Sequence, residues 1–136
     1  MAALRQRGAL IAVLLGFFIV MLDATIVNVT LADIGTDLNA PVASLQWVVD
    51  SYTLVFAAFL LTSGAACDRL GARAVYLFGL LLFGVLSVVC ALAPTGGTLI
   101  AARAAQGAGA AAVVPGSLAL LAVIYTEPDA RSRAIG

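Results

Sequence analysis

Two ionisable residues sit where the sequence is otherwise hydrocarbon. Asp23 lies inside "VMLDATIVNVTLA", residues 20–32, and Arg103 lies inside "LIAARAAQGAGAAAVVPGS", residues 99–117. An isolated charge at the centre of a membrane helix costs about 2.5–3.5 kcal/mol or more, and intramembrane ionisable groups face a bundle interior or a polar cavity. A carboxylate in such a place can take up and release a proton, and a guanidinium can neutralise it. Two roles are open for the pair: a structural tie between helices, or a proton relay lining a cavity. Thr30 follows Asp23 by seven residues and so shares its helix face, which predicts a polar stripe. Asn28 is off that face and is expected to bond a neighbouring helix. The sequence has no His, which removes the commonest metal ligand and general base. Its two cysteines, Cys67 and Cys90, have no zinc-type spacing. Enzyme chemistry, a metal and a cofactor are therefore not expected.

The elements that must position these groups follow from composition. The chain has 136 residues, 63% of them hydrophobic and 10% charged, with a mean hydropathy of +1.13. Soluble domains average about 25% charged residues, so this is an all-α membrane protein. A spanning helix needs about 20 mostly apolar residues. Four segments qualify, over about 8–31, 45–66, 74–93 and 98–124, and "RSRAIG" near residue 131 reads as the foot of a fifth. All of 1–136 thus belongs to one partial transmembrane bundle. The first apolar run continues far past a leader's length and no A-x-A-like site follows it, so a spanning helix is expected rather than a cleaved leader. At 1.5 Å per residue, Asp23 lies roughly 12 Å and Arg103 roughly 9 Å below the same membrane edge. The two are expected to be neighbours.

Arg5 and Arg7 precede the first segment, Arg69 and Arg73 separate the second and third, and Arg131 and Arg133 follow the fourth. The other two connections, "DIGTDLNAPVAS" and "PTGG", hold no basic residue. The positive-inside rule then predicts a cytoplasmic N-terminus. Net charge is zero, so no nucleic-acid partner is implied. Cys67 and Cys90 fall at opposite ends of the membrane and are expected as free thiols. Trp47 and Tyr52 read as an anchor at the outer interface. Ala105 and Gly109, and Gly107 and Ala111, are small pairs at i, i+4 that allow close helix approach. Gly8, Ala12 and Gly16 repeat the device, and Pro115 should kink the fourth helix. In "GAACDRLGAR", residues 64–73, Gly71 permits a tight reversal within a short loop. Asp68 sits at the unfavourable end of a helix dipole and calls for a partner.

Three of these stretches together resemble the major facilitator superfamily. "GAACDRLGAR" is similar to its loop motif at Gly64, Asp68, Arg69, Gly71 and Arg73, with Ala66 and Ala72 as departures. "LIAARAAQGAGAAAVVPGS" resembles the helix-four motif of proton-coupled antiporters at Arg103, Gln106, Gly107, Gly109, Ala110 and Ala111. "LDATIVNVTLADI" resembles the helix-one signature of the fourteen-helix drug:proton antiporter branch, with Thr30 and Ala32 as departures, and "QWVVDSYTL" its second helix. The resemblance implies the N-terminal part of a six-helix bundle within a transporter whose remaining helices lie outside this chain. It implies alternating access, helices one and four lining a cavity, and a latch between bundles through Asp68. It also implies export of a small amphiphilic or cationic substrate across the plasma membrane, driven by a proton gradient. Gln106 joins Asp23, Arg103 and Thr30 as a cavity residue on this basis. Two other readings remain open: a self-contained four-helix small multidrug transporter acting as a dimer, and a non-transporting membrane assembly protein.

Overall fold

The computed structural model describes residues 2–124, with side chains from residue 7 onward. The expected fifth helix, Arg5, Arg131 and Arg133 lie outside these side chains. Four helices run in order: α1 (Ala2–Asp37), α2 (Val42–Leu70), α3 (Ala72–Ala91) and α4 (Gly96–Ile124). All four are long and apolar enough to cross a membrane. In hydrocarbon only a helix or a closed barrel satisfies every backbone N–H and C=O, which is why the apolar segments are continuous helices.

Helix boundaries differ from the hydropathy reading. α1 extends to Asp37, six residues past the expected end. Its 36 residues make about 54 Å at 1.5 Å per residue, well beyond the roughly 30 Å hydrocarbon core. Hydropathy marks only the part of a helix that lipid must cover. The backbone ladder continues until something ends it. Here that is Asn39 in the left-handed region (φ 47°). Asn39 N–H donates to Thr36 O, and Ala40 N–H to Gly35 O at 3.0 Å. This pattern is the Schellman cap, and Pro41 then opens α2.

The connection between α2 and α3 is tighter than the expected loop. Gly71 alone separates the two helices, at φ 90°. Its N–H caps Cys67 O at 3.0 Å, and its own carbonyl accepts Val75 N–H. A Cβ is disfavoured at this φ. At the other end of the bundle, "PTGG" is the tight turn expected. Thr95 caps α4, its Oγ1 accepting Thr98 N–H at 3.2 Å.

α4 is the central helix and packs against the other three. Its small residues let it do so: a Cβ on Gly107 would collide with the Tyr52 carbonyl of α2, one on Gly109 would come within 2.9 Å of Phe83 N of α3, and one on Gly116 within 3.0 Å of Tyr76 Cβ. Ala105, paired with Gly109 in the sequence reading, is exposed instead. α4 continues unbroken past Pro115. Val20, Tyr52, Tyr76, Phe83, Ala110 and Val113 form a core drawn from all four helices. α1 is attached through Val13, Gly16 and Val20. The Tyr76 hydroxyl fills the space above Gly16 and donates to Ala12 O at 2.9 Å. Gly8 has no neighbour there, so the small-residue stripe of α1 packs at one position only.

These contacts rank the glycines. Gly107→Ala should destabilise the full-length protein by about 1–3 kcal/mol, the usual cost of overpacking, because backbone rather than a flexible side chain opposes the new methyl. Gly64→Ala meets nothing within 4 Å and should leave the melting temperature unchanged or raised. Thermal unfolding in detergent gives both values, and equal effects would overturn the packing assignment.

Candidate functional site: an ion pair enclosed by four helices

Asp23 and Arg103 meet. Arg103 Nη1 lies 2.6 Å from Asp23 Oδ2. The same Nη1 donates to Gln106 Oε1 at 2.7 Å, one helical turn along α4. Gln106 Nε2 donates to Asp23 Oδ1 at 3.2 Å and to Ser87 Oγ at 2.8 Å. Cys90 Sγ approaches Gln106 Oε1 at 3.5 Å as a weak donor. Gln106 therefore uses both N–H groups and both lone pairs, the full capacity of a carboxamide. It is fully buried, as a polar group with every bond made can be.

The geometry is that of a cation held on several sides. Asp23 of α1 sits at one edge of the guanidinium, and Tyr52 of α2 lies under its plane, with Cζ 4.2 Å from the ring centroid. Ser87 and Cys90 of α3 reach it only through Gln106. Arg103 is 3% exposed, whereas Asp23 is 22% exposed. The carboxylate is thus the accessible half of the pair. Both line a cavity of about 580 Å³, together with Thr30, Asp37, Ser87, Cys90 and apolar groups drawn from all four helices. Arg103 Nε is enclosed without an acceptor.

Tyr52 is not the interfacial anchor expected of it. It is buried and stacked parallel to Phe56 at 6.3 Å, while Trp47 remains exposed. An aromatic near the end of an apolar run suits either a headgroup or a buried cation, and only a cation opposite it decides. Ser87 and Cys90 were also missed as site residues. They extend the i, i+3/i+4 row Tyr76, Gly79, Phe83 on α3, a spacing visible in the sequence. Thr30 lines the cavity, but its hydroxyl donates to Ile26 O at 3.0 Å on its own helix. Asn28 likewise returns its amide to Ala24 O at 2.9 Å and makes no bond to a neighbouring helix among the described residues. A hydroxyl that bonds its own helix in this way needs no partner in lipid.

The loop-motif residues lie elsewhere, around Gly71. Asp68, Arg69 and Arg73 are exposed there, and they form no ion pair among the described residues. No disulfide links Cys67 and Cys90, and both are free.

The network predicts a ranking. Gln106→Leu should destabilise the most, since it removes one hydrogen bond each from Asp23, Arg103 and Ser87, although the Ser87 hydroxyl keeps its own bond to Phe83 O. Ser87→Ala should cost about 0.6 kcal/mol, the average for an interhelical hydrogen bond in membranes, and Cys90→Ala less. Thermal unfolding of the full-length variants measures the order. Gln106→Leu no worse than Ser87→Ala would show that the carboxamide is peripheral.

Comparison with known proteins agrees with this architecture. The sequence profile described as Major Facilitator Superfamily matches residues 13–136. The methylenomycin A resistance protein of Streptomyces coelicolor is 47% identical over 121 residues, 89% of this chain and 26% of that protein. The multidrug resistance protein Stp of Mycobacterium tuberculosis is 46% identical over 131 residues, 96% of this chain and 24% of its own length. The drug efflux pump JefA of the same organism is 40% identical over 131 residues, 96% of this chain and 26% of that protein. The chain spans about a quarter of the length of these curated relatives. With this match over most of its length and four membrane-length helices, the chain belongs to the Major Facilitator Superfamily.

Proposed function

We propose that this chain is the N-terminal part of a proton-coupled drug efflux antiporter of the plasma membrane, in the fourteen-helix branch, working by alternating access. The observation that carries the reading is the Asp23–Arg103 pair at the wall of a cavity, with the carboxylate partly accessible and the guanidinium buried. The relatives named for drug resistance and drug efflux support export of a small molecule. The mostly apolar cavity lining supports an amphiphilic substrate, neutral or cationic.

Asp23 is the coupling group in this scheme. While ionised it holds Arg103 and Gln106, and α1 is tied to α4. A proton on Asp23 removes its charge and weakens that tie, so proton entry and helix movement become one event. Substrate leaves to the outside as the proton binds and the tie weakens, and the tie re-forms when Asp23 releases that proton to the cytoplasm. Asp68, exposed beside Gly71 without a partner among the described residues, supports a latch to helices beyond this segment. The Arg pattern around Gly71 supports a cytoplasmic placement of that turn and of the N-terminus.

The test is transport by the full-length protein in proteoliposomes under an imposed pH gradient, with substrate binding assayed in parallel. Asp23→Asn should abolish gradient-driven transport and retain binding. Arg103→Ala should be at least as damaging, since it strands a carboxylate, and Arg103→Lys should rescue only in part because a point charge replaces a planar fork. Full gradient-driven transport by Asp23→Asn would reduce the pair to a structural tie. Asp68→Asn should slow transport without preventing membrane insertion, and wild-type rates would leave that loop as a topology signal alone. In intact cells an impermeant thiol reagent should not reach Cys67, and labelling there would reverse the proposed orientation.

A further inference from the structure

Arg103 poses a problem that its ion pair does not solve. The guanidinium is 3% exposed, and both of its hydrogen bonds leave from a single nitrogen, Nη1, to Asp23 and Gln106. Nε is enclosed with no acceptor among the described residues. If Asp23 takes a proton, the one formal negative charge that pairs with this cation among the described residues disappears while the cation stays buried. The groups that face Arg103 are then few. Asp23 faces it from α1 and Tyr52 from α2, and on α4 itself Gln106 offers a carbonyl oxygen. Ser87 and Cys90 of α3 are bound to Gln106, not to Arg103. Of these, only the Tyr52 ring presents negative potential across the guanidinium plane, at 4.2 Å.

The ring is also held in place. Gly107, next to Gln106 on α4, meets the Tyr52 carbonyl so closely that no Cβ fits. Phe56 stacks parallel to the ring at 6.3 Å. The spacing of the two helices that carry the guanidinium and the ring is therefore set by a backbone contact between α2 and α4, independent of α1. Asp23 comes from α1, which is attached through fewer contacts than α2 or α3. One side of Arg103 is rigid and the other is releasable.

We infer that Tyr52 is a positioning residue: its ring face keeps Arg103 in place, by a cation–π interaction, when Asp23 loses its charge. Release of α1 then leaves the cation on α4 ready to recapture the carboxylate. The hydroxyl is not required for this, and no hydrogen bond from it is part of the network. The inference rests on the proposed coupling role of Asp23 for its functional meaning, and on the geometry alone for the placement of the ring.

Progressive ring fluorination tests it, because fluorine withdraws the negative face while leaving size and shape nearly unchanged. In the full-length protein, position 52 is replaced by Phe and then by mono-, di- and pentafluorinated Phe through nonsense suppression. The same series at exposed Phe78 serves as control. Two readouts are taken. The first is the melting temperature, measured with Asp23 intact and with Asp23→Asn. It should fall along the series at position 52 and fall more steeply with Asp23→Asn, where the ring is the remaining attraction. The second is gradient-driven transport. Tyr52→Phe should retain most of it, and the pentafluorinated ring should lower it roughly thirtyfold, the scale of a desolvated cation–π contact. Melting temperatures that are flat along the series, or that fall with equal slopes in the two backgrounds, would overturn the role of the ring. Unequal slopes together with full gradient-driven transport by Asp23→Asn would keep the ring's role and overturn the coupling scheme instead.

Discussion

Two opposite charges placed in hydrocarbon must find each other, and the rest of this bundle is arranged around that requirement. Asp23 and Arg103 belong to helices far apart in sequence, so their 2.6 Å contact fixes the depth of α1 against α4. Gln106 then connects the pair to α3, and Tyr52 connects it to α2. Polar groups enter this core only as a set. An unmatched buried donor is costly, and among the described residues Arg103 Nε is the one such side-chain donor that the set leaves. The fully bonded state of Gln106 is the condition that allows an ion pair to be buried beside it.

The packing of α4 serves the same end. Gly107, Gly109 and Gly116 bring three stretches of backbone within van der Waals distance, where larger side chains would hold the helices apart. Without that approach neither the Tyr52 ring nor the Ser87 hydroxyl would reach residues of α4. Small residues supply the distance, and polar residues use it. Elsewhere hydroxyls such as Thr25 and Thr53 fold back on carbonyls of their own helices, which leaves the helix surfaces chemically quiet toward lipid.

Much of this was legible in the sequence, for identifiable reasons. Four apolar runs and one buried charge of each sign constrain topology and depth so strongly that the Asp23–Arg103 contact follows from counting residues. Gly71 was legible because few residues other than glycine turn the chain there. What stayed hidden depends on partners. Tyr52 looks like an interfacial aromatic until a cation is placed opposite it. Gln106 stood out only through the resemblance of its motif, since one amide in an alanine-rich helix carries no periodic signal. The end of α1 was misplaced because hydropathy fades before the backbone ladder does, and Asn39 decides where the ladder stops.

Gly71 has a consequence for how such a chain can vary. With one residue between α2 and α3 there is no slack to absorb a change in length. An inserted or deleted residue at that point would rotate all of α3 by about 100° relative to α2. Gly79 would leave its contact with α4, and Ser87, sixteen positions away from the turn, would face lipid instead of Gln106. Side chains in this bend can be exchanged more freely than its length. The turn acts as a register mark, and drift among descendants of such a sequence should accumulate as substitutions around it and almost never as gaps within it.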